Sequence, residues 1–124
     1  MSDHLARGTE VRNQLFGEER TRQALSSDDP DQRAFQELIT SYCFGALWGQ
    51  DDAEWRDRSL MTMAIVAAQH RFTEFETHVR LAIRNGCTRP VLFALAKHLA
   101  VYCGVPTGLE SFRIVQKVLA ETGD

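Results

Sequence analysis

The chain has 124 residues, with 14 Lys and Arg against 17 Asp and Glu and a formal net charge of −3, a length that predicts one domain with a core of its own. With 44% hydrophobic and 25% charged residues the composition excludes wholesale disorder. No block of Lys and Arg is present to grip phosphates, so no nucleic-acid or membrane partner is expected.

MSDHLARG has no apolar signal core, and the longest apolar stretch, Leu60 to Ala68, is too short to span a bilayer. A cytoplasmic location is the expectation. Cys43, Cys87 and Cys103 cannot all pair within one chain, and none has metal-ligand spacing. They read as reduced, small apolar fillers, with a reactive thiol as the sharper alternative that nothing local supports.

No strand alternation occurs, whereas helix starts and stops recur, so the fold class is all-α with about six helices in a single domain over 1–124. Residues 1–27 form an N-terminal helical arm, with Leu5, Val11, Leu15, Phe16 and Leu25 as apolar positions and Gly8 and Gly17 as breaks. Ser26-Ser27-Asp28-Asp29-Pro30 stops the arm and starts a second helix, striped by Phe35, Leu38, Ile39, Tyr42 and Cys43 and ending near Gly45–Gly49. A Gln50-Asp51-Asp52 turn caps a third helix, from about Ala53 to Gln69.

Thr73 and Glu76 read as a capping box opening the fourth helix, closed by Asn85-Gly86. Thr88 and Pro90 open a fifth helix to about Cys103. Gly104-Val105-Pro106 breaks it, and a sixth runs to about Glu121. The third helix over Leu60–Ala68 and the fifth are apolar nearly all round, which predicts burial by other subunits and a homo-oligomer; the alternative is a monomer whose arm covers both.

On the fourth helix, Phe72, Phe75, Val79, Ala82 and Ile83 form the core stripe. Glu76, Arg80 and Arg84 flank it on one side as a solvent-facing ion ladder. Arg71, Glu74 and His78 line up on the other flank. A carboxylate and an imidazole at i, i+4 can hydrogen-bond, fixing the tautomer and raising the imidazole pKa, which is how a general acid/base pair is built. The same spacing also occurs as a plain surface contact. Zinc is not expected, because His4, His70 and His98 are not placed as further ligands. His98 and Tyr102 form a second i, i+4 pair on the fifth helix, either a core histidine with a satisfied ring or the wall of a pocket facing Glu74 and His78.

Arg58-Ser59-Leu60, Arg71-x-x-Glu74-x-x-x-His78, Arg84-Asn85-Gly86-Cys87-Thr88 and Ala100-Val101-Tyr102-Cys103-Gly104-Val105-Pro106 together resemble the carboxymuconolactone decarboxylase family. Phe35-Gln36-Glu37-Leu38-Ile39-Thr40 and Tyr42-Cys43 followed by Trp48 look like its N-terminal half, and the resemblance runs from about Val11 to Leu119. It implies an alkylhydroperoxidase D-like helical subunit in a ring-shaped homo-oligomer, commonly a hexamer, with no cofactor and no metal. The related alkylhydroperoxidase D-like proteins carry CxxCxxxH. Here Arg71 and Glu74 stand at the two cysteine positions, so dithiol peroxidase chemistry is not expected. The chain departs from the family pattern at Arg89-Pro90-Val91, where acidic residues are expected, and at His98, where Gln is expected.

The activity implied is cofactor-free decarboxylation of 4-carboxymuconolactone to 3-oxoadipate enol-lactone in protocatechuate catabolism. The partner is then a small lactone. Loss of CO₂ pushes two electrons through the ring double bond to the lactone carbonyl, so the ring is its own electron sink. The site must supply a donor at the oxyanion, a proton for carbon and a cation for the acetate arm. Glu74 and His78 are the expected catalytic pair, Arg71 or Arg58 the carboxylate ligand, and Tyr102 and His98 further pocket residues. The alternatives are a paralogue acting on a related lactone or keto acid and a non-catalytic oligomeric interaction protein.

Overall fold

The computed structural model describes residues 2–123, and among them every regular element is helical. The chain divides into two compact units, residues 1–53 and 54–124.

The first unit holds α1 (Ser2–Phe16), α2 (Glu18–Leu25) and α3 (Pro30–Ile39), the last running straight into a π-helical stretch, Thr40–Trp48. Gly17, at φ 100°, separates α1 from α2 as expected of a glycine break. Gly8 does not break α1. It lies inside the helix where α1 crosses the π-helical stretch, and a Cβ there would run into the Thr40 carbonyl and the Gly45 backbone; one on Gly45 would meet the His4 carbonyl. Two facing glycines thus let the backbones touch. Asp29 caps α3, its Oδ1 accepting from the Asp31 amide at 3.0 Å, with Pro30 at the first helical position. The sequence did not foretell the π winding. Its i→i+5 bonds bring residues five apart onto one face, so Thr40 and Gly45 both meet α1, whereas in an α-helix they would stand about 140° apart.

Val11 and Leu15 of α1 are fully buried. Phe16 meets Phe44 edge-on at 5.7 Å. The Arg12 guanidinium lies over the Phe44 ring at 5.4 Å and donates to Thr40 Oγ1 at 2.9 Å.

The second unit comprises α4 (Trp55–Ala68), α5 (Phe72–Arg84), α6 (Arg89–Tyr102) and α7 (Val105–Thr122). Its core joins Met63 and Ala67 of α4, Phe75, Val79 and Ala82 of α5, Leu92 and Leu99 of α6, and Val115, Val118 and Leu119 of α7. The stripe expected on the fourth helix therefore faces the core as its spacing requires. α4 and α5 form a helical hairpin, α6 lies along α7, and Gly108 lets α7 approach α6 so closely that a Cβ there would collide with Ala100.

Three local expectations need correction. The N-cap of α5 is Arg71 rather than Thr73, and no capping box forms. Glu76 instead accepts from Arg80 Nη1 at 2.8 Å and Lys117 Nζ at 3.1 Å, because two cations offer more than one backbone amide. The ion ladder does not continue to Arg84 but crosses to α7, where Arg80 also pairs with Glu121. Finally, of the three free cysteines only Cys87 is a buried filler; Cys43 is half-buried and Cys103 exposed. Burial pushes the Cys43 and Cys87 thiols up, with the nearby Arg12 and Arg56 opposing it in turn.

No helix among the described residues is long and apolar enough to cross a membrane. Among the described residues twelve large apolar side chains are exposed, including Met61 and Ile65 on α4, Val91, Val101 and Tyr102 on α6 and Leu109 and Phe112 on α7.

Candidate active site

α4 and α5 meet at a corner of three residues, Gln69, His70 and Arg71. The His70 amide donates to the Ala67 carbonyl and the Arg71 amide to the Val66 carbonyl, the paired bonds of a Schellman turn. The Arg71 carbonyl then accepts from the Phe75 amide at 2.9 Å, opening α5. Arg71 therefore closes one helix and starts the next, with its side chain exposed at the α5 N-terminus.

One turn into α5, Glu74 is exposed, and His78 follows a turn later, half-buried beside the core residue Val79. The expected direction of the His78 pKa is reversed. Burial holds it below the ordinary imidazole value, and the charge of Glu74 opposes this without overcoming it. The physical reason is the position of the pair: the imidazole is at the edge of the core, where charging it costs desolvation, while the carboxylate lies in solvent that screens its attraction. Burial thus favours the uncharged imidazole, which has one N–H to donate and one nitrogen to accept.

Arg58 lies at the other end of the hairpin. It is 6% exposed on the first turn of α4, next to Ser59, whose hydroxyl accepts from Asn85 Nδ2 at 3.0 Å. Cys87 Sγ donates to the Arg56 carbonyl at 3.5 Å in the same region. Arg71 and Asn85 are separated by about 20 Å of helix rise, so the two guanidinium candidates stand at opposite ends of the hairpin with His78 midway. A cleft of about 220 Å³ between α4 and the α5–α6 turn is lined by Arg56, Asp57, Leu60, Gly86, Cys87, Thr88 and Val91, none of them an expected site residue.

His98 and Tyr102 need a larger correction. Both are exposed, Tyr102 by 81%, and their rings stack on each other at 6.0 Å. His98 Nδ1 meets the Ala94 carbonyl at 3.3 Å. His98 is thus no core histidine. The face of α6 that is buried is Leu92–Ala96–Leu99, and the His98–Tyr102 pair lies roughly 90–130° round the helix from it.

Among the described residues no cluster of three His, Cys, Asp or Glu side chains is placed to hold a metal. In the sequence His70 stands out only as a histidine without metal-ligand spacing. The signal that could have found it is the joint between two helical patterns with neither Gly nor Asn at the position that needs a left-handed backbone.

The described residues form seven α-helices and a π-helical stretch where about six helices were expected, because Gly17 divides the N-terminal arm, and the all-α class expected from the sequence holds. The profile of the carboxymuconolactone decarboxylase family matches residues 33–117, and the chain belongs to that family. It is 34% identical over 117 residues to a nitrosuccinic acid decarboxylase of Metarhizium robertsii, covering 94% of this chain and 82% of that protein. It is 28% identical over 116 residues to a 4-carboxymuconolactone decarboxylase of Acinetobacter baylyi, covering 94% and 87% respectively. Both relatives are decarboxylases, and this chain is a carboxy-lyase.

Proposed function

We propose that the enzyme decarboxylates a succinate that bears an electron-accepting group on the carbon losing CO₂. The substrates named for the two relatives share that skeleton. Nitrosuccinate carries a carboxylate and a nitro group on one carbon and a carboxymethyl arm beside it. 4-Carboxymuconolactone carries a carboxylate and a carboxymethyl arm on the saturated ring carbon next to the double bond that leads to the lactone carbonyl. In each, the electron pair of the breaking C–CO₂ bond flows into the acceptor, giving a nitronate or a furan dienolate, and a proton on carbon completes the reaction. 4-Carboxymuconolactone, which would yield 3-oxoadipate enol-lactone as in protocatechuate catabolism, is the first substrate to test.

The observation that carries this reading is the place of His78, half-buried at the edge of the core one turn after the exposed Glu74, where burial favours its uncharged form. A neutral imidazole N–H placed at the acceptor oxygen stabilises the charge that develops there, without the full positive charge or acidic proton that would stabilise or protonate the departing carboxylate. This favours His78 as donor to the oxyanion over His78 as a standing acid. Glu74 orients the ring. Arg71, exposed at a helix N-terminus, takes the carboxymethyl carboxylate, and Arg58 is the alternative ligand from the far end of the hairpin.

Glu74 and Arg71 are open to solvent in the single chain, whereas decarboxylation gains from a dry site. A homo-oligomer, of six subunits in our reading, would enclose them, and the exposed apolar residues of α4, α6 and α7 supply the contact surface. Three free cysteines fit a reducing, cytoplasmic setting.

The test is ultraviolet monitoring of 4-carboxymuconolactone consumption with CO₂ release by the purified protein, with nitrosuccinate in parallel. Turnover of either supports the substrate class. Activity confined to an acid without a neighbouring carboxymethyl arm would replace it.

A further inference from the structure

His70 is the only non-glycine residue with positive φ among the described residues, at 59°. A glycine takes this left-handed conformation without steric cost, and histidine does not. The His70 side chain makes two contacts that a glycine could not. Its Nε2 lies 3.2 Å from the hydroxyl of Thr107, a buried residue at the start of α7. Its ring stacks on Phe72, the first residue of α5, with the planes 11° apart.

We propose that His70 is a positioning residue of the active site, clamping the α4–α5 corner so that Arg71 is aimed and α5 starts in the register that carries Glu74 and His78. The proposal rests on reading those three residues as the site. The corner has no slack: Arg71 is the next residue, its amide is committed to Val66 and its carbonyl to Phe75. A rotation at His70 is therefore passed directly into the direction of the Arg71 side chain. The contact with Thr107 ties the corner to a separate helix, and the stack on Phe72 ties it to α5. Displacement of a substrate-holding group by about 1 Å is enough to cost up to roughly a hundredfold in rate.

Three variants of the full chain separate clamping from plain stability. His70→Gly relieves the left-handed backbone and loses both contacts, so its melting temperature should equal or exceed the wild type while kcat/KM falls about tenfold, chiefly through KM. His70→Gln suits the backbone less but can still reach Thr107 with an amide. It should melt lower and keep KM within about twofold. Thr107→Val breaks the bond from the other side and should reproduce the KM rise of His70→Gly. If His70→Gly is kinetically wild type on an active background, or if activity in all three follows melting temperature, the proposal is wrong. A wild type inert toward both 4-carboxymuconolactone and nitrosuccinate removes the functional reading itself, and the proposal with it.

Discussion

The imidazole of His78 feels burial on one side and the Glu74 carboxylate on the other, and burial is the stronger. Activity that needs the uncharged ring should stay level through neutral pH and fall only on an acid limb centred below about 6.5, the ordinary histidine value. Glu74→Gln removes the influence that raises this pKa, so the limb should move further toward acid while turnover falls. A pH profile of kcat/KM for both proteins reads the shift, and a limb above 6.5 would contradict it. His78→Ala should cost on the order of a hundredfold in turnover with the helical circular-dichroism spectrum unchanged. The same pKa has a consequence for stability. The unfolded chain takes up the His78 proton near pH 6.5 and the folded chain only at lower pH, so the stabilisation is complete above 6.5 and is lost as pH falls below it. Melting curves between pH 7.5 and 5 should therefore show an acid-side decline that is shallower in His78→Gln.

Among the elements, α5 shows what periodicity conveys. Phe75, Val79 and Ala82 face the core as their spacing requires, and the same phase puts Glu74 and Glu76 about 160° apart. Glu76→Gln should leave the rate near wild type and lower the melting temperature by at most a few degrees, since its partners are exposed cations on α5 and α7. Glu74→Gln should show the opposite pattern. Contacts between elements were less legible. Glu76 could not be seen to have Lys117 within reach, so a capping box was the simplest local partner, and Gly8 looked like a break because the backbone it touches comes from residues more than thirty positions away. Gly8→Ala should unfold or markedly loosen the first unit, a loss of more than about 2 kcal/mol that chemical denaturation would register. A wild-type denaturation midpoint would mean that α1 can shift without cost.

For the whole molecule, the sequence pointed to helices, to the family and to Glu74 lying near His78, because each is written in local spacing. It did not reveal that His98 and Tyr102 face outward or that burial outweighs Glu74 at His78, since both depend on which side of a helix its neighbours cover. The exposed Met61, Ile65, Val91 and Val101 carry the remaining expectation. Light scattering after size exclusion should give a multiple of the 14.0 kDa chain, six being the expected number. A monomer at micromolar concentration would leave those side chains without a role and would require the substrate to be enclosed in some other way.

The π-helical stretch Thr40–Trp48 gives this part of the chain a reading frame of its own. Because Thr40 and Gly45 share a face only while the wide winding lasts, removing one residue between them would let the segment rewind as an ordinary α-helix. Thr40 and Gly45, then four positions apart, would stand only about 40° from each other and still both face α1. A single-residue deletion here should thus do less damage than one within α1 or α5, where losing a residue turns every later side chain by about 100°.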